Sequence, residues 1–156
     1  MDGEHERDDI IIRNLRADDL ARLVHIDEQI TGRTRHLWYE GKLKRALQQS
    51  DVQISLGVEV DGTLVGAMLA ELHYGEFGLP EPVAVLDTVL VERPFAGRGI
   101  ASAMFAQLVE NLRALRIERL RTHVNWDDHE LVAFFGRQGF VPLPRLVLET
   151  NLTTGT

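Results

Sequence analysis

The chain contains no cysteine. That absence excludes disulfides, a thiolate nucleophile, an acyl-cysteine intermediate and cysteine-based zinc sites, and it fits a reducing compartment. No apolar run approaches the roughly 18 residues that a membrane-crossing helix needs, so no membrane span is expected. No H-E-x-x-H or other metal-ligand spacing occurs, so no metal site is expected. Positive charge is in deficit: 17 Lys and Arg stand against 24 Asp and Glu, for a formal charge of -7. This balance argues against a nucleic-acid binder. Residues 1–9, from Met1 to Asp9, are acidic and hydrophilic, the reverse of a secretion signal. They read as a flexible, solvated tail on a cytoplasmic protein.

A chain of 156 residues reads as one domain, here 10–152, followed by a short tail at 153–156. It is long enough to bury roughly two-thirds of its unfolded surface without staples. The apolar pattern predicts a strand at about 10–16, a helix at 18–30 that turns Leu20, Leu23, Val24 and Ile26 inward, and a second helix at 34–49. Strands at 52–60 and 63–73 follow, joined by Asp61-Gly62, the strongest short hairpin signal. Tyr74 to Pro82, with two glycines and two prolines, is a loop. A fourth strand, 83–91, is almost continuously apolar and therefore central. A third helix at 98–115, a fifth strand at 118–125 and a fourth helix at 127–138 complete the pattern. One or two short terminal strands follow, limited by Pro142 and Pro144.

The most informative stretch runs from Val89 to Leu108. A β-branched run leads into Gly97-Arg98-Gly99, and then Ile100, Met104, Leu108 and Leu112 recur at helical spacing. A strand, a glycine turn and a helix start leave backbone amides unspent at the positive end of a helix dipole. Glycines lacking Cβ let an anion approach, so the segment reads as a phosphate or pyrophosphate cradle. It is not a P-loop, because no Lys followed by Ser or Thr comes after the second glycine. It is not a dinucleotide fingerprint either, because Ser102 stands where the third glycine belongs.

Ala96-Gly97-Arg98-Gly99-Ile100-Ala101 resembles the acyl-CoA loop of the GNAT superfamily of acyl-CoA-dependent N-acyltransferases, whose signature is Arg/Gln-x-x-Gly-x-Gly/Ala after a strand. Gly99, Ile100 and Ala101 fit the pattern; Ala96 departs from its leading Arg or Gln. Downstream, a strand closed by Asn125, a helix with Phe134-Phe135 and then Gly139-Phe140 follow in the family's order. The resemblance covers about residues 10 to 150. It implies an α/β (α+β) fold: a mixed, mostly antiparallel central sheet with splayed fourth and fifth strands, flanked by about four helices. It also implies transfer of an acetyl or other short acyl group from acetyl-CoA to a primary amine, by direct attack in a ternary complex. The acceptor is a small molecule or a protein amine, with neither nucleic acid nor membrane as partner. A homodimer through terminal strands is the family's common assembly.

Under this resemblance the backbone amides of Gly97, Arg98, Gly99, Ile100 and Ala101, with the Ser102 side chain, hold the diphosphate. Val89, Leu90 and Val91 offer strand groups to the pantetheine arm, and Asn125 and Phe135 lie beside it. The attacking amine must lose a proton before it can react. Val85 falls about where the family often carries an acid. Asp87, two residues on, returns to the same strand face. An acid in an apolar strand is costly unless used or paired, so Asp87 is the first candidate base and Glu71 the second. The alternative is that Asp87 only bonds a loop amide or an arginine. The family's tyrosine general acid is replaced by Phe135, which has no proton to give. Tyr39 and Tyr74 are the only tyrosines, and Tyr39 is the candidate acid, with solvent as the alternative. Asp27, Glu28, Arg33 and Arg35 form either an acceptor wall or a solvated helix end. These departures leave a second function open: an acyl-CoA-binding module with little or no transferase activity.

Overall fold

A computed structural model describes residues 9–48 and 54–155. Most of the expected acidic tail, the start of the second strand and the end of the second helix lie outside the described residues. Two compact units divide the chain after His123.

The first unit is built on an open five-stranded sheet in the order β1-β2-β3-β4-β5. Its strands are β1 (Ile10–Asn14), β2 (Leu56–Val60), β3 (Thr63–His73), β4 (Val83–Val91) and β5 (Leu120–Thr122). The first four pair antiparallel, and only β4 and β5 run parallel. The sheet is thus mixed and mostly antiparallel, as expected. Asp61 and Gly62 both take positive φ, 50° and 79°, which makes the β2–β3 connection the turn that matches strand twist.

Helices α1 (Leu20–Thr31) and α2 (His36–Gln48) pack on one face of the sheet. There Leu23, Ile26, Tyr39 and Leu43 share a core with Leu64, Ala67, Leu69 and Leu90. Helix α3 (Ile100–Ala114) packs on β2, β3 and β4 through Ile100, Met104, Leu108 and Leu112. It covers the opposite face: Gly66 lies against Ile100 and Met104, while its neighbour Ala67 belongs to the first core. Fully burying one such aliphatic side chain contributes about 1.5–3 kcal/mol. Leu115, the last residue of the expected third helix, is outside α3 and exposed.

Helix α1 starts at Leu20, two residues later than expected. A single 3₁₀ turn, Ala17–Asp19, precedes it, and the Asp19 carboxylate caps nothing ahead of it. It reaches back to accept from the Arg16 amide at 2.7 Å and from the fork of Arg13 at 2.8 Å twice. Arg13 also donates to Glu59 on β2 at 2.7 Å.

The second unit holds helix α4 (His129–Arg137), whose N-cap Asp128 accepts from the Leu131 amide at 3.2 Å. Phe135 is buried in this unit, edge-on to Phe134 and Phe140 at 5.3 and 5.0 Å. Asn125 and Trp126 are exposed. The expected terminal strands do not form: after α4 the described residues contain no strand. Pro142 and Pro144 remove two amide donors within three residues. No helix of the described residues is long and apolar enough to cross a membrane.

Candidate active site

The glycine segment takes the form that its sequence demands. After β4 a 3₁₀ turn, Arg93–Phe95, leads to an extended Ala96, and Gly97 and Gly99 then adopt φ of 77° and 79°. L-residues with a side chain rarely take these values, which is why glycine stands at both. No described atom lies within 4 Å of the place a Cβ would occupy at either position, so the turn is open. The expected helix start at 98 falls in the turn instead, and α3 begins at Ile100. No side chain caps it, and its first bond runs from the Ala103 amide to the Gly99 carbonyl at 3.0 Å. The amides of Gly99, Ile100 and Ala101 are therefore not consumed by the helix and stand at its positive end. The Arg98 guanidinium lies 5.4 Å from the centroid of the Phe95 ring.

Upstream of this turn β4 and β5 part. Their pairing ends at Leu86 and Thr122, where the Thr122 hydroxyl donates to the Leu86 carbonyl at 2.7 Å. Asp87 to Val91 have no β5 partner, so Val89, Leu90 and Val91 keep a strand edge that the ladder does not use. Strand β5 is only three residues long against eight expected, and its brevity leaves that edge open.

Asp87 sits where the strands diverge. The β3 register runs Leu69 to Thr88 and then Ala70 to Leu86, which makes Asp87 the extra residue of a β-bulge. Bulges re-aim a side chain out of the regular alternation, and here they turn an acid toward α2. The Asp87 carboxylate accepts from the Thr88 hydroxyl at 2.9 Å and from the Lys42 ammonium. Lys42 Nζ lies 3.7 Å from Glu71 Oε1 and 5.4 Å from the centroid of the Trp38 ring. The two candidate acids, Asp87 and Glu71, are thus brought together around one lysine.

Glu71, Val85 and Arg121 form a row across β3, β4 and β5. Glu71 Oε1 is buried without a hydrogen bond and has Arg45 Nε at 3.6 Å. His73 lies 3.6 Å from the other Glu71 oxygen and 3.1 Å from Glu76, and Glu76 in turn pairs with Arg121. The hydrogen bond from His73, joined by the charge of Arg121 and opposed by slight desolvation, holds the Glu76 carboxyl below its usual range. The Phe77 ring stands over the Arg121 guanidinium at 5.5 Å.

Tyr39 is not in the cleft. It is fully buried between α1 and the sheet, and its hydroxyl donates to Asp27 Oδ1 at 2.9 Å. Burial, reinforced by the Asp27 carboxylate, holds that hydroxyl far above its ordinary range. Asp27 is equally enclosed, forked by Arg35 at 2.8 and 2.5 Å. Burial pushes its carboxyl up, but the bonds from Arg35 and Tyr39 outweigh it and leave Asp27 below its usual range. Neither residue can meet a substrate: together with Arg35 they pin α1 to α2. Tyr74 stands exposed on the β3–β4 loop.

Lys42, Arg45, His73, Glu76 and Arg121 complete the charged cluster, and none was singled out from the sequence. One signal pointed to Lys42: it follows Trp38 by four residues, the spacing that stacks two side chains on one helix face.

Residues 17–140 match the acetyltransferase (GNAT) family. No curated protein sequence matches the chain. Among solved structures, the fold is similar to aminoglycoside N-acetyltransferase AAC(6')-Iy in complex with CoA, with a TM-score of 0.76 and 17% identity over 92% of this chain and 95% of that one. It is similar to aminoglycoside 6'-N-acetyltransferase AAC(6')-Ih from Acinetobacter baumannii, with a TM-score of 0.76 and 15% identity over 93% and 99%. It is also similar to the ribosomal-protein-alanine N-acetyltransferase of Brucella melitensis biovar Abortus 2308, with a TM-score of 0.70 and 17% identity over 92% and 99%. At such identities these likenesses speak for the fold alone. The family match is broader evidence, since it takes in well over half the chain, the open glycine turn and the parted strands included: the chain belongs to the GNAT family of acetyltransferases.

Proposed function

We propose that the chain transfers an acetyl or other short acyl group from CoA to a primary amine by direct attack in a ternary complex. The observation that carries this reading is the divergence of β4 from β5 at Asp87, directly ahead of the open Gly97–Gly99 turn. A diphosphate on the amides of residues 97–101, with Ser102 beside them, would send the pantetheine arm along Val89 to Val91. The thioester then arrives beside Asp87 and Glu71. Amine acceptors are also what the names of the aminoglycoside and ribosomal-protein relatives describe.

In the step itself the amine nitrogen attacks the thioester carbonyl carbon and gives its proton to Asp87. The tetrahedral adduct collapses, the carbon–sulfur bond breaks, and CoA leaves as a thiolate. Glu71 positions the amine by charge. Solvent protonates the thiolate, since Tyr39 is enclosed and Phe135 has no proton to give. The acceptor is a small molecule or a protein amine.

The test is thiol release from acetyl-CoA across a panel of amines, with calorimetry of CoA binding in parallel. Turnover with at least one amine, reduced about 100-fold or more in kcat/KM by Asp87→Asn at unchanged CoA affinity, is the expected result. Ala96 and Phe135, the two departures from the family pattern, favour the second reading of a binding module. CoA binding without turnover would establish that one instead, and no binding of any CoA species would overturn both.

A further inference from the structure

The chain has fifteen arginines and two lysines, Lys42 and Lys44. Arginine holds the ion pairs of the sheet to Asp19, Glu59 and Glu92 and shares Glu76 with His73. At the divergence of β4 and β5, however, the cation is an amine that can be acylated. Lys42 Nζ touches the Asp87 carboxylate and lies 3.7 Å from Glu71. The side chain is 15% exposed, so it faces the cleft without waving in solvent. The Trp38 ring, 5.4 Å away, walls the other side. A primary amine, a carboxylate placed to take its proton and a second carboxylate to orient it are the set that an acceptor amine requires. Lys42 already occupies that place.

We propose that Lys42 is an acyl acceptor of this chain, a self-modification site within the active cleft. The proposal rests on the reading of Asp87 as the base. The Lys42 ammonium first gives a proton to Asp87, and the neutral Nζ then attacks the carbonyl carbon of acetyl-CoA. The carbon–sulfur bond then breaks, and the proton lost from the nitrogen of the adduct goes to the departing sulfur, leaving N-acetyl-Lys42 and CoA. No oxidant or further reactant is needed. Acylation removes the positive charge, so Asp87 and Glu71 lose the counter-ion they share and become available to an external ammonium.

Lys44, exposed two residues away, serves as the internal control. The full chain is incubated with acetyl-CoA in the absence of any acceptor, and acetylation at both lysines is followed by peptide mass spectrometry. Lys42 is expected to be acetylated about 100-fold faster than Lys44 or more, the low end of what a positioned base adds. Asp87→Asn brings Lys42 down to the Lys44 rate and leaves Lys44 unchanged. Lys42→Arg keeps a cation beside Asp87 and abolishes the mark. Acetyl phosphate, a donor with no CoA moiety, labels Lys44 at least as fast as Lys42. The rate per molecule stays constant on dilution, as a step within one chain requires. Equal labelling of the two lysines overturns the proposal. So does turnover of an external amine with Lys42 unlabelled, which would leave Lys42 a fixed counter-ion and the transferase reading intact. Absence of CoA binding would remove both together.

Discussion

At the scale of single residues, enclosure separates what holds the fold from what is available for chemistry. Asp27, Arg35 and Tyr39 bring two charges and a phenol together, but Asp27 and Tyr39 are out of reach of solvent. Tyr39→Phe is expected to cost about 1.5–3 kcal/mol of stability, the range for a hydrogen bond to a charged group. Denaturant melts measure that cost, while kcat stays unchanged. Loss of turnover without loss of stability would return Tyr39 to the list of acids. Asp19 and Asp27 also set the response to acid. Burial raises each, but the bonds from Arg13 and the Arg16 amide, and from Arg35 and Tyr39, leave both below the ordinary value of 3.8. A depressed folded-state value adds stability that is present above the unfolded-state value and is lost as pH falls through the folded-state one. Thermal midpoints should therefore hold down to about pH 4 and drop below it, and Asp27→Asn should flatten part of that drop. The sequence marked Tyr39 because tyrosines are few. Nothing in a linear pattern says that Asp27, twelve positions earlier and on another helix, takes its hydroxyl.

Among the elements, the strong periodic signals were legible and the irregular ones were not. Strand β4 occupies the residues its apolar run indicates, the Asp61-Gly62 turn has the two positive φ values that its residues favour, and α3 buries the stripe Ile100, Met104, Leu108 and Leu112. The bulge at Asp87 was invisible, because one inserted residue shifts register without altering composition. Strand β5 is overestimated for a related reason: β-propensity marks residues able to pair, whereas pairing stops where the neighbouring strand turns away. Gly97 and Gly99 were legible as a turn because glycine suits the positive φ found at both. Gly99→Ala would force a side chain into that conformation at a cost of about 1–2 kcal/mol. It is expected to weaken CoA binding about tenfold, measured by calorimetry, since 1.4 kcal/mol corresponds to one decade. The added methyl meets nothing within 4 Å, so α3 should stay folded by circular dichroism. A Gly99→Ala chain with full CoA affinity would mean that the turn is not the cradle.

For the molecule as a whole, the order of elements carried more information than any one motif. The family signature is incomplete at Ala96 and Phe135, yet the succession of strand, glycine turn, helix, strand and aromatic helix lies within residues 17–140, the part that matches the family. What order cannot supply is charge placement. The formal charge of -7 says little about the cleft, where Lys42, Arg45 and Arg121 meet Glu71, Glu76 and Asp87 in equal number. Binding of CoA to the folded chain must also appear in its stability, because a ligand that binds only the folded state stabilises it by mass action. At acetyl-CoA concentrations 100-fold above Kd the gain is about 2.7 kcal/mol. For a chain of this length that corresponds to a rise in Tm of roughly 5–10 °C, read by differential scanning calorimetry. The same concentration should raise the Tm of Gly99→Ala by about half as much, since a tenfold weaker affinity removes about 1.4 kcal/mol of that gain. Asp87→Asn should keep the full shift, because its carboxylate is assigned to the amine and not to CoA. Equal shifts for all three chains would place the coenzyme away from the turn.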